Sequence, residues 1–100
     1  MRVRFLRPAE EEYLEALRYY AGQALDLGAE LLTDLDHATG LLAELPSIGA
    51  PYEGETRRLL FRRFPYSLIY IIQAEEVLVI AVRHHRQEPV SWRARLGRPS

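Results

Sequence analysis

The sequence predicts a small α+β domain in which an N-terminal helical hairpin packs on one face of a mainly antiparallel sheet, in the order β-α-α-β-β-β. Two observations predict this class. Apolar residues recur at helical spacing through the first half of the chain, whereas the second half contains segments rich in β-branched and aromatic residues, separated by short breaks. A chain of 100 residues is long enough for one domain and too short for two. We therefore expect a single domain over residues 1–100.

A short strand and a first helix are predicted at the start of the chain. Val3 and Phe5 alternate with arginines, which is the pattern of a half-buried strand, and Pro8 both stops the strand and suits the first turn of a helix. Apolar residues then recur at helical spacing, and we expect Gly22 to close this helix. Its glutamates, Glu12 among them, are expected to face water.

A second helix follows, with Asp26 as its expected N-cap. Its apolar residues step by four and three along one face, which predicts the seam of an antiparallel helical hairpin. Pro46 ends the helix, and the glycine- and proline-containing segment 46–54 is predicted to be a loop. The seam consists of Leu31, Leu35, Ala38, Leu42 and Leu45.

Three sequential antiparallel strands are predicted over residues 56–64, 67–73 and 77–83, and the last two are apolar on both faces. A sheet with helices on one side needs only one apolar face. The second face must therefore be covered by the tail after Arg83, by another copy or by a different protein. An exposed apolar surface of this size usually marks a docking site, so we expect a partner to cover part of it.

Charge is unevenly distributed, although the net charge is only −1. Acidic residues crowd the first half, arginines crowd the second half, and lysine is absent. A basic half suggests a surface for phosphates or acidic partners. The chain has no cysteine, no apolar run long enough for a membrane span and no signal-peptide pattern, so we expect a cytoplasmic protein without a metal or cofactor. Common hydrolase, P-loop and dinucleotide-binding motifs are also absent from the sequence.

Several segments resemble one family when taken in order. They are FLRPAEEE at 5–12, YY at 19–20, FPYSLIY at 64–70 and IAVRHHR at 80–86, followed by Pro89, Trp92 and Arg95. Together they resemble the RelE/ParE toxin superfamily, and more closely its ParE, or plasmid-stabilisation, branch. The resemblance covers residues 3–95, and its specificity lies in the joint order of the segments rather than in any one of them.

The resemblance implies the toxin of a type II toxin–antitoxin system. Such a toxin is neutralised by a small DNA-binding antitoxin encoded in the same operon. In this family the antitoxin's C-terminal segment wraps over the toxin as helix and extended chain, which suits an apolar groove. The residues expected to contact the antitoxin are Tyr13, Leu17, Tyr20, Leu31, Leu35, Ile69 and Ile71.

The superfamily implies two targets from different functional classes. ParE-like members bind and poison DNA gyrase, whereas RelE-like members cut messenger RNA on the ribosome. Charged positions of the ribonuclease branch correspond here to Leu59, Phe61 and Ser67, none of which can carry a charge. A tyrosine of some nuclease members corresponds to Trp92, whose indole cannot accept a proton. We therefore predict gyrase inhibition by binding, with no catalytic residue.

His84, His85 and Arg86 keep RNA cleavage open as the alternative, because histidine suits acid and base chemistry near neutral pH. Adjacent residues of an extended chain point to opposite sides, so at most one histidine could share a site with strand residues. A non-toxic binding module of the same fold is a further alternative.

Target binding is expected to involve the basic second half of the chain. The same arginines could instead be solvated or paired with the acidic helices, and Trp92 could anchor the tail by packing. The residues assigned to target binding are Arg57, Arg58, Arg62, Arg63, Arg83, Arg86 and Trp92.

Overall fold

The computed structural model describes residues 1–87 and 92–97, and for Trp92 it describes the backbone alone. The predicted α+β class is confirmed: two helices precede most of a mainly antiparallel sheet. The elements are β1 (Arg2–Phe5), α1 (Arg7–Gln23), α2 (Leu25–Glu44), a short 3-10 turn (Pro46–Ile48), β2 (Ala50–Pro51), β3 (Arg57–Leu60), β4 (Tyr66–Gln73), β5 (Glu76–His84) and α3 (Trp92–Arg95).

The sheet has the strand order β1-β5-β4-β3-β2. β1 runs parallel to β5, and the other pairs are antiparallel. Arg4 of β1 donates to Glu76 of β5 at 2.9 Å. The hydrogen bond from Arg4, and to a smaller extent the one from Gln73, lowers the pKa of Glu76 to about 2. The first strand therefore joins the sheet beside the last one, and this pairing leaves β1 at the sheet edge.

The two helices form a tight hairpin whose joint differs from the prediction. α1 continues through Gly22 to Gln23, and the break falls at Ala24, whose extended φ of −162° interrupts the helical geometry. Asp26 lies in the first turn of α2 and does not cap it, because the N-cap position is Ala24. A Cβ on Gly28 would lie 2.9 Å from the Cβ of Ala21, so this glycine permits the close approach of the helices.

The buried seam of α2 matches its helical spacing except at its end. Leu31, Leu35, Ala38 and Leu42 are buried against the sheet, whereas Leu45 is 55% exposed. Leu45 is the C-cap residue, with a ψ of 72°, and so lies outside the helical repeat. The seam prediction was wrong for this residue.

β3 is shorter than predicted, and residues 62–64 are not part of a strand. The backbone N–H groups of Arg62, Arg63 and Phe64 donate to the carboxylate of Asp34 on α2, at 3.1, 2.9 and 2.9 Å. These bonds fold the segment into a turn before β4. Within the predicted loop, the two-residue strand β2 pairs with β3.

The second face of β4 and β5 is closed by the chain itself, so the expectation that a partner covers part of it was wrong. A cluster on this face is at most 4% exposed, and the described residues that pack against it are Leu6 and Leu96. The tail folds back onto the sheet. A bulge in β5 also places two consecutive side chains in the cluster. The cluster consists of Ile69, Ile71, Leu78, Ile80 and Ala81.

Candidate functional site

Glu12 of α1 lies at the edge of β5 beyond the end of β1. The register of β1 stops at Phe5 opposite Val79, and the Val82 N–H donates to Glu12 Oε1 at 3.0 Å. Arg95 of α3 donates to both oxygens of Glu12, at 2.8 and 3.0 Å, and to the Ile80 carbonyl at 2.9 Å. The Glu12 carboxylate and the Arg95 guanidinium thus form the hydrogen bonds to the Val82 N–H and the Ile80 carbonyl that a neighbouring strand would otherwise form.

A second arginine, Arg83, completes the cluster around Glu12. Arg83 donates to Glu12 Oε2 at 2.8 Å. Burial would raise the pKa of Glu12, but the hydrogen bonds from Arg95, Val82 and Arg83 outweigh it and hold the pKa below its ordinary 4.5. The expectation that Glu12 faces water was wrong, because the helical pattern carries no information on a partner 83 residues away.

A cleft of about 430 Å³, which we call the tyrosine cleft, opens between α1 and the ends of β4 and β5. Three phenol rings form much of it: the Tyr19 and Tyr20 centroids are 5.1 Å apart, and those of Tyr20 and Tyr66 are 6.3 Å apart. Its lining residues are Glu12, Glu15, Ala16, Tyr19, Tyr20, Tyr66, Val82, His84 and Gln87.

The environment of Tyr66 reports the electrostatic character of this cleft. Burial, followed by the influence of Tyr20, Tyr19 and Glu15, raises the pKa of Tyr66 to about 12. The phenol therefore keeps its proton at neutral pH.

The two adjacent histidines occupy different places. His84 lines the tyrosine cleft, where its ring packs edge-on against Tyr66 at 5.1 Å, and its Nδ1 accepts the Arg86 N–H at 3.0 Å. The Nε2 of His85 lies 3.0 Å from the Oγ of Ser67. This is the separation expected from alternation along an extended chain. His84 and His85 do not combine into one acid–base pair.

The positions that the resemblance matches to charged residues of the ribonuclease branch contribute to packing. Phe61 is 8% exposed and Ser67 is 2% exposed, and Leu59 packs against the core under the helices. The Ser67 hydroxyl bonds with His85. These side chains hold the sheet together and have no ionisable group to offer a substrate.

Three of the arginines assigned to target binding contact the protein's own chain. Arg57 donates to the carbonyl oxygens of Ser47 and Gly49, at 3.2 and 2.8 Å. The guanidinium carbon of Arg58 lies 5.2 Å from the centroid of the Tyr52 ring. Arg83 binds Glu12, as described above. These contacts stabilise the segment before β3 and the edge of β5.

Three other arginines are exposed at one end of the sheet, and we call Arg62, Arg63 and Arg86 the basic rim. The turn that carries Arg62 and Arg63 contacts the segment after β5, because the His85 N–H donates to the Pro65 carbonyl at 2.9 Å. Arg63 approaches Glu30 at 3.8 Å in an exposed pair, which stabilises little. The side chain of Trp92 lies outside the described part of the chain.

The residues expected to contact an antitoxin divide by burial. Leu31, Ile69 and Ile71 are at most 4% exposed, which removes them from the surface available to a partner in this conformation. Leu35, at 6% exposed, is also buried, and together with Tyr13 it lines an open groove of about 610 Å³ between β1 and α2. The other two assigned residues, Leu17 and Tyr20, are partly buried and pack against the hydrophobic core between the two helices and the sheet.

The described residues contain neither a metal-binding cluster nor a membrane-spanning helix. They contain no group of three or more histidine or acidic side chains placed to hold a metal ion. Among the same residues, no helix is both long enough and apolar enough to cross a bilayer.

A helical hairpin packed on a five-stranded sheet, with the basic rim at one end of the sheet and the tyrosine cleft beside α1, is the architecture of this small α+β protein. The family model described as "ParE toxin of type II toxin-antitoxin system, parDE" matches residues 3–89, and the chain belongs to this family. The predicted membership of the RelE/ParE superfamily, in its ParE branch, is confirmed.

Individual relatives agree with this assignment. Toxin ParE2 of Mycobacterium tuberculosis, in the CDC 1551 / Oshkosh and H37Rv strains, is 29% identical over 97 residues, which cover 96% of this chain and 92% of the relative. A solved structure of the chromosomal ParDE TA system from P. aeruginosa has a TM-score of 0.75 at 17% identity, covering 84% of this chain and 95% of the other. The structural likeness at this identity supports the fold.

Proposed function

We propose that this toxin inhibits DNA gyrase by binding it, without hydrolysing a substrate. The observation that carries the proposal is the packing of the positions that the ribonuclease branch uses for catalysis. Leu59, Phe61 and Ser67 contribute to the sheet core and its hydrogen bonds, so they can neither transfer a proton nor neutralise charge on a phosphate.

The tyrosine cleft supports the same conclusion. His84 is the only histidine among the described residues lining it, and the exposed carboxylate of Glu15 lines it as well. Negative charge beside an RNA phosphate would oppose the further negative charge that develops during cleavage. Ribosome-dependent RNA cleavage remains the second candidate, because His84 and Tyr66 adjoin each other there at 5.1 Å.

The basic rim is the surface that we assign to the target. Its three exposed arginines lie together at one end of the sheet, and arginine forms bidentate hydrogen bonds with carboxylates and phosphates. Gyrase and the DNA held by it supply both groups. The arginines that bind the protein's own chain, Arg57, Arg58 and Arg83, are assigned to stability instead.

We also propose that an antitoxin encoded in the same operon neutralises the toxin. The open groove between β1 and α2 supports this assignment. It is lined by Tyr13, Leu35 and the 44% exposed Leu32, and it lies beside the edge strand β1. An amphipathic or extended segment can bury its apolar side chains against such a surface.

Expression in bacterial cells tests the choice of target. Wild-type toxin should relax plasmid supercoiling and induce the DNA damage response, while translated messages remain intact. Replacing Arg62, Arg63 and Arg86 together by alanine should abolish both effects. Arg2→Ala is the matched control. Arg2 is also exposed, but in the strand register it lies opposite Glu76, at the other end of β5 from the basic rim.

Two other outcomes would identify the alternatives. Cleavage of translated messages that is lost in His84→Ala would establish the ribonuclease function in place of gyrase inhibition. Absence of both effects for a folded wild-type chain, together with antitoxin binding, would establish a non-toxic binding module.

A further inference from the structure

The walls of the tyrosine cleft have the composition of a cation-binding site. Tyr19 is 60% exposed, and Tyr20 and Tyr66 are partly buried beside it. The face of a phenol ring carries negative electrostatic potential and attracts guanidinium and ammonium groups. Three rings in one cleft can contact a cation from more than one side.

Glu15 is the acidic group of the cleft that is available to a ligand. The other carboxylate in the lining, that of Glu12, is engaged by Arg83, Arg95 and the Val82 N–H. Glu15 is exposed on the same helix as Tyr19, and no arginine is among the described residues that line the cleft. A bound cation would therefore gain both ring contacts and a carboxylate partner.

We propose that the tyrosine cleft binds a basic side chain, an arginine or a lysine, presented by the antitoxin. This inference rests on the antitoxin neutralisation proposed above. The volume of about 430 Å³ accommodates a long basic side chain, and the exposed Glu15 in the lining supplies a carboxylate for its charged group. Acidic groups of the target thus bind at the rim, whereas the antitoxin supplies a cation to the cleft.

The cation site is tested first without the antitoxin, on the full chain labelled with ¹³C in its tyrosine rings. Titration with N-acetylarginine amide and N-acetyllysine amide should shift the ring signals of Tyr19, Tyr20 and Tyr66. N-acetylcitrulline amide, which has nearly the same shape as the arginine probe but no charge, should shift them far less. Glu15→Gln should weaken the arginine response about tenfold, whereas Glu75→Gln, in the exposed turn between β4 and β5, should leave it unchanged. An equal response to citrulline, or an undiminished one in Glu15→Gln, would overturn the cation site.

The occupant is tested with the purified antitoxin of the same operon. Glu15→Gln and Tyr19→Ala should each weaken antitoxin binding about tenfold while leaving gyrase inhibition intact, since both side chains are exposed and lie outside the basic rim. Unchanged antitoxin affinity in both variants would overturn the assignment of the occupant. Self-association of the wild type that disappears in Glu15→Gln would overturn it as well, in favour of a second copy whose rim arginine enters the cleft.

The two experiments separate failure of this inference from failure of the proposed function. If the wild type binds the arginine probe but does not bind the antitoxin, neutralisation by that antitoxin is contradicted and the cation site stands. If the wild type binds the antitoxin but not the probe, neutralisation stands and the cation site is contradicted.

Discussion

At the scale of single residues, Glu12 is the side chain whose removal should disturb the largest number of described hydrogen bonds. It joins α1 to β5 through Val82 and Arg83, and to α3 through Arg95. We expect Glu12→Gln to lower the free energy of unfolding at pH 7 by about 2–3 kcal/mol, because two arginines lose a charged partner. Urea denaturation measures this difference. The control Glu11→Gln, at an exposed position of the same helix, should change stability by less than about 0.5 kcal/mol.

The Glu12 contribution should also depend on pH. The folded-state pKa of Glu12 lies below its ordinary 4.5, so its stabilising effect is fully present above that value. It is lost as the pH falls through the lowered, folded-state pKa. The stability gap between the wild type and Glu12→Gln should therefore narrow in acid. A gap that stays constant from neutral pH down to about pH 3 would contradict the role assigned to the carboxylate.

Gly49 provides a second test at this scale. Its N–H donates to the Tyr70 hydroxyl at 2.9 Å, and that hydroxyl donates to the Pro46 carbonyl at 2.6 Å. A Cβ at Gly49 would lie 2.6 Å from the hydroxyl and 2.9 Å from the Arg58 carbonyl, so Gly49→Ala should cost at least about 2 kcal/mol in thermal or urea unfolding. Gly40→Ala meets nothing within 4 Å and lies inside α2, where it should stabilise by about 0.5–1 kcal/mol. Equal effects of the two changes would refute this account.

The sequence identifies these residues only in part, because their partners are distant along the chain. Glu12 fits a solvent-facing helical position as well as its observed one, and the Arg95 that binds it lies 83 residues later. The family resemblance includes both residues but gives no contact between them. The arginine-rich second half is evident from composition, yet composition does not distinguish Arg57, which anchors backbone carbonyls, from the exposed Arg62.

At the scale of elements, Asp34 determines where β3 ends. Its buried carboxylate accepts three consecutive backbone N–H groups, those of Arg62, Arg63 and Phe64. Asp34→Ala should cost about 2–3 kcal/mol in unfolding free energy and accelerate hydrogen exchange at these three amides. Asp36→Ala, exposed on the same helix, should do neither. Unchanged hydrogen exchange at these three amides in Asp34→Ala would disprove the role assigned to the Asp34 carboxylate.

The helices were easier to predict than the strand ends for a physical reason. Helical spacing is a local property, and it places the buried face of α2 correctly from Leu31 to Leu42. The end of β3 depends instead on a carboxylate about thirty residues upstream, with sequence separations of 28 to 30. The pairing of β2 similarly depends on the position of β3 and has no apolar alternation of its own.

At the scale of the whole molecule, the burial of the second sheet face removes the need for a partner there. The sequence pattern correctly indicates a strongly apolar sheet, but it does not show that the tail returns to it. The helix α3 is short, and Leu96 follows it directly. Periodicity over so few residues carries little information, so the sequence could not select the tail over another copy or a different protein as the cover.

The docking of the tail gives a test at this scale. Leu96→Asp would place a charge against the buried cluster on the second face, so we expect a loss of about 1–3 kcal/mol in unfolding free energy, increased binding of an apolar dye and concentration-dependent association. Leu25→Asp is the matched control, because Leu25 is 85% exposed. Melting temperature, dye fluorescence and sedimentation velocity measure these effects. A monomeric Leu96→Asp protein of wild-type stability would mean that this contact does not close the face.

The basic rim and the tyrosine cleft lie at the same end of the sheet, because the Arg86 N–H donates to His84, which lines the cleft. We propose that the rim binds the target and that the cleft binds the antitoxin. The central claim, that the toxin acts by binding gyrase through the rim, is tested most directly by purified gyrase converting relaxed plasmid into supercoiled plasmid. Wild-type toxin should inhibit the reaction, a variant with Arg62, Arg63 and Arg86 changed to glutamate should not, and Arg2→Glu should inhibit like the wild type. Normal supercoiling in the presence of excess, folded wild-type toxin would contradict the account.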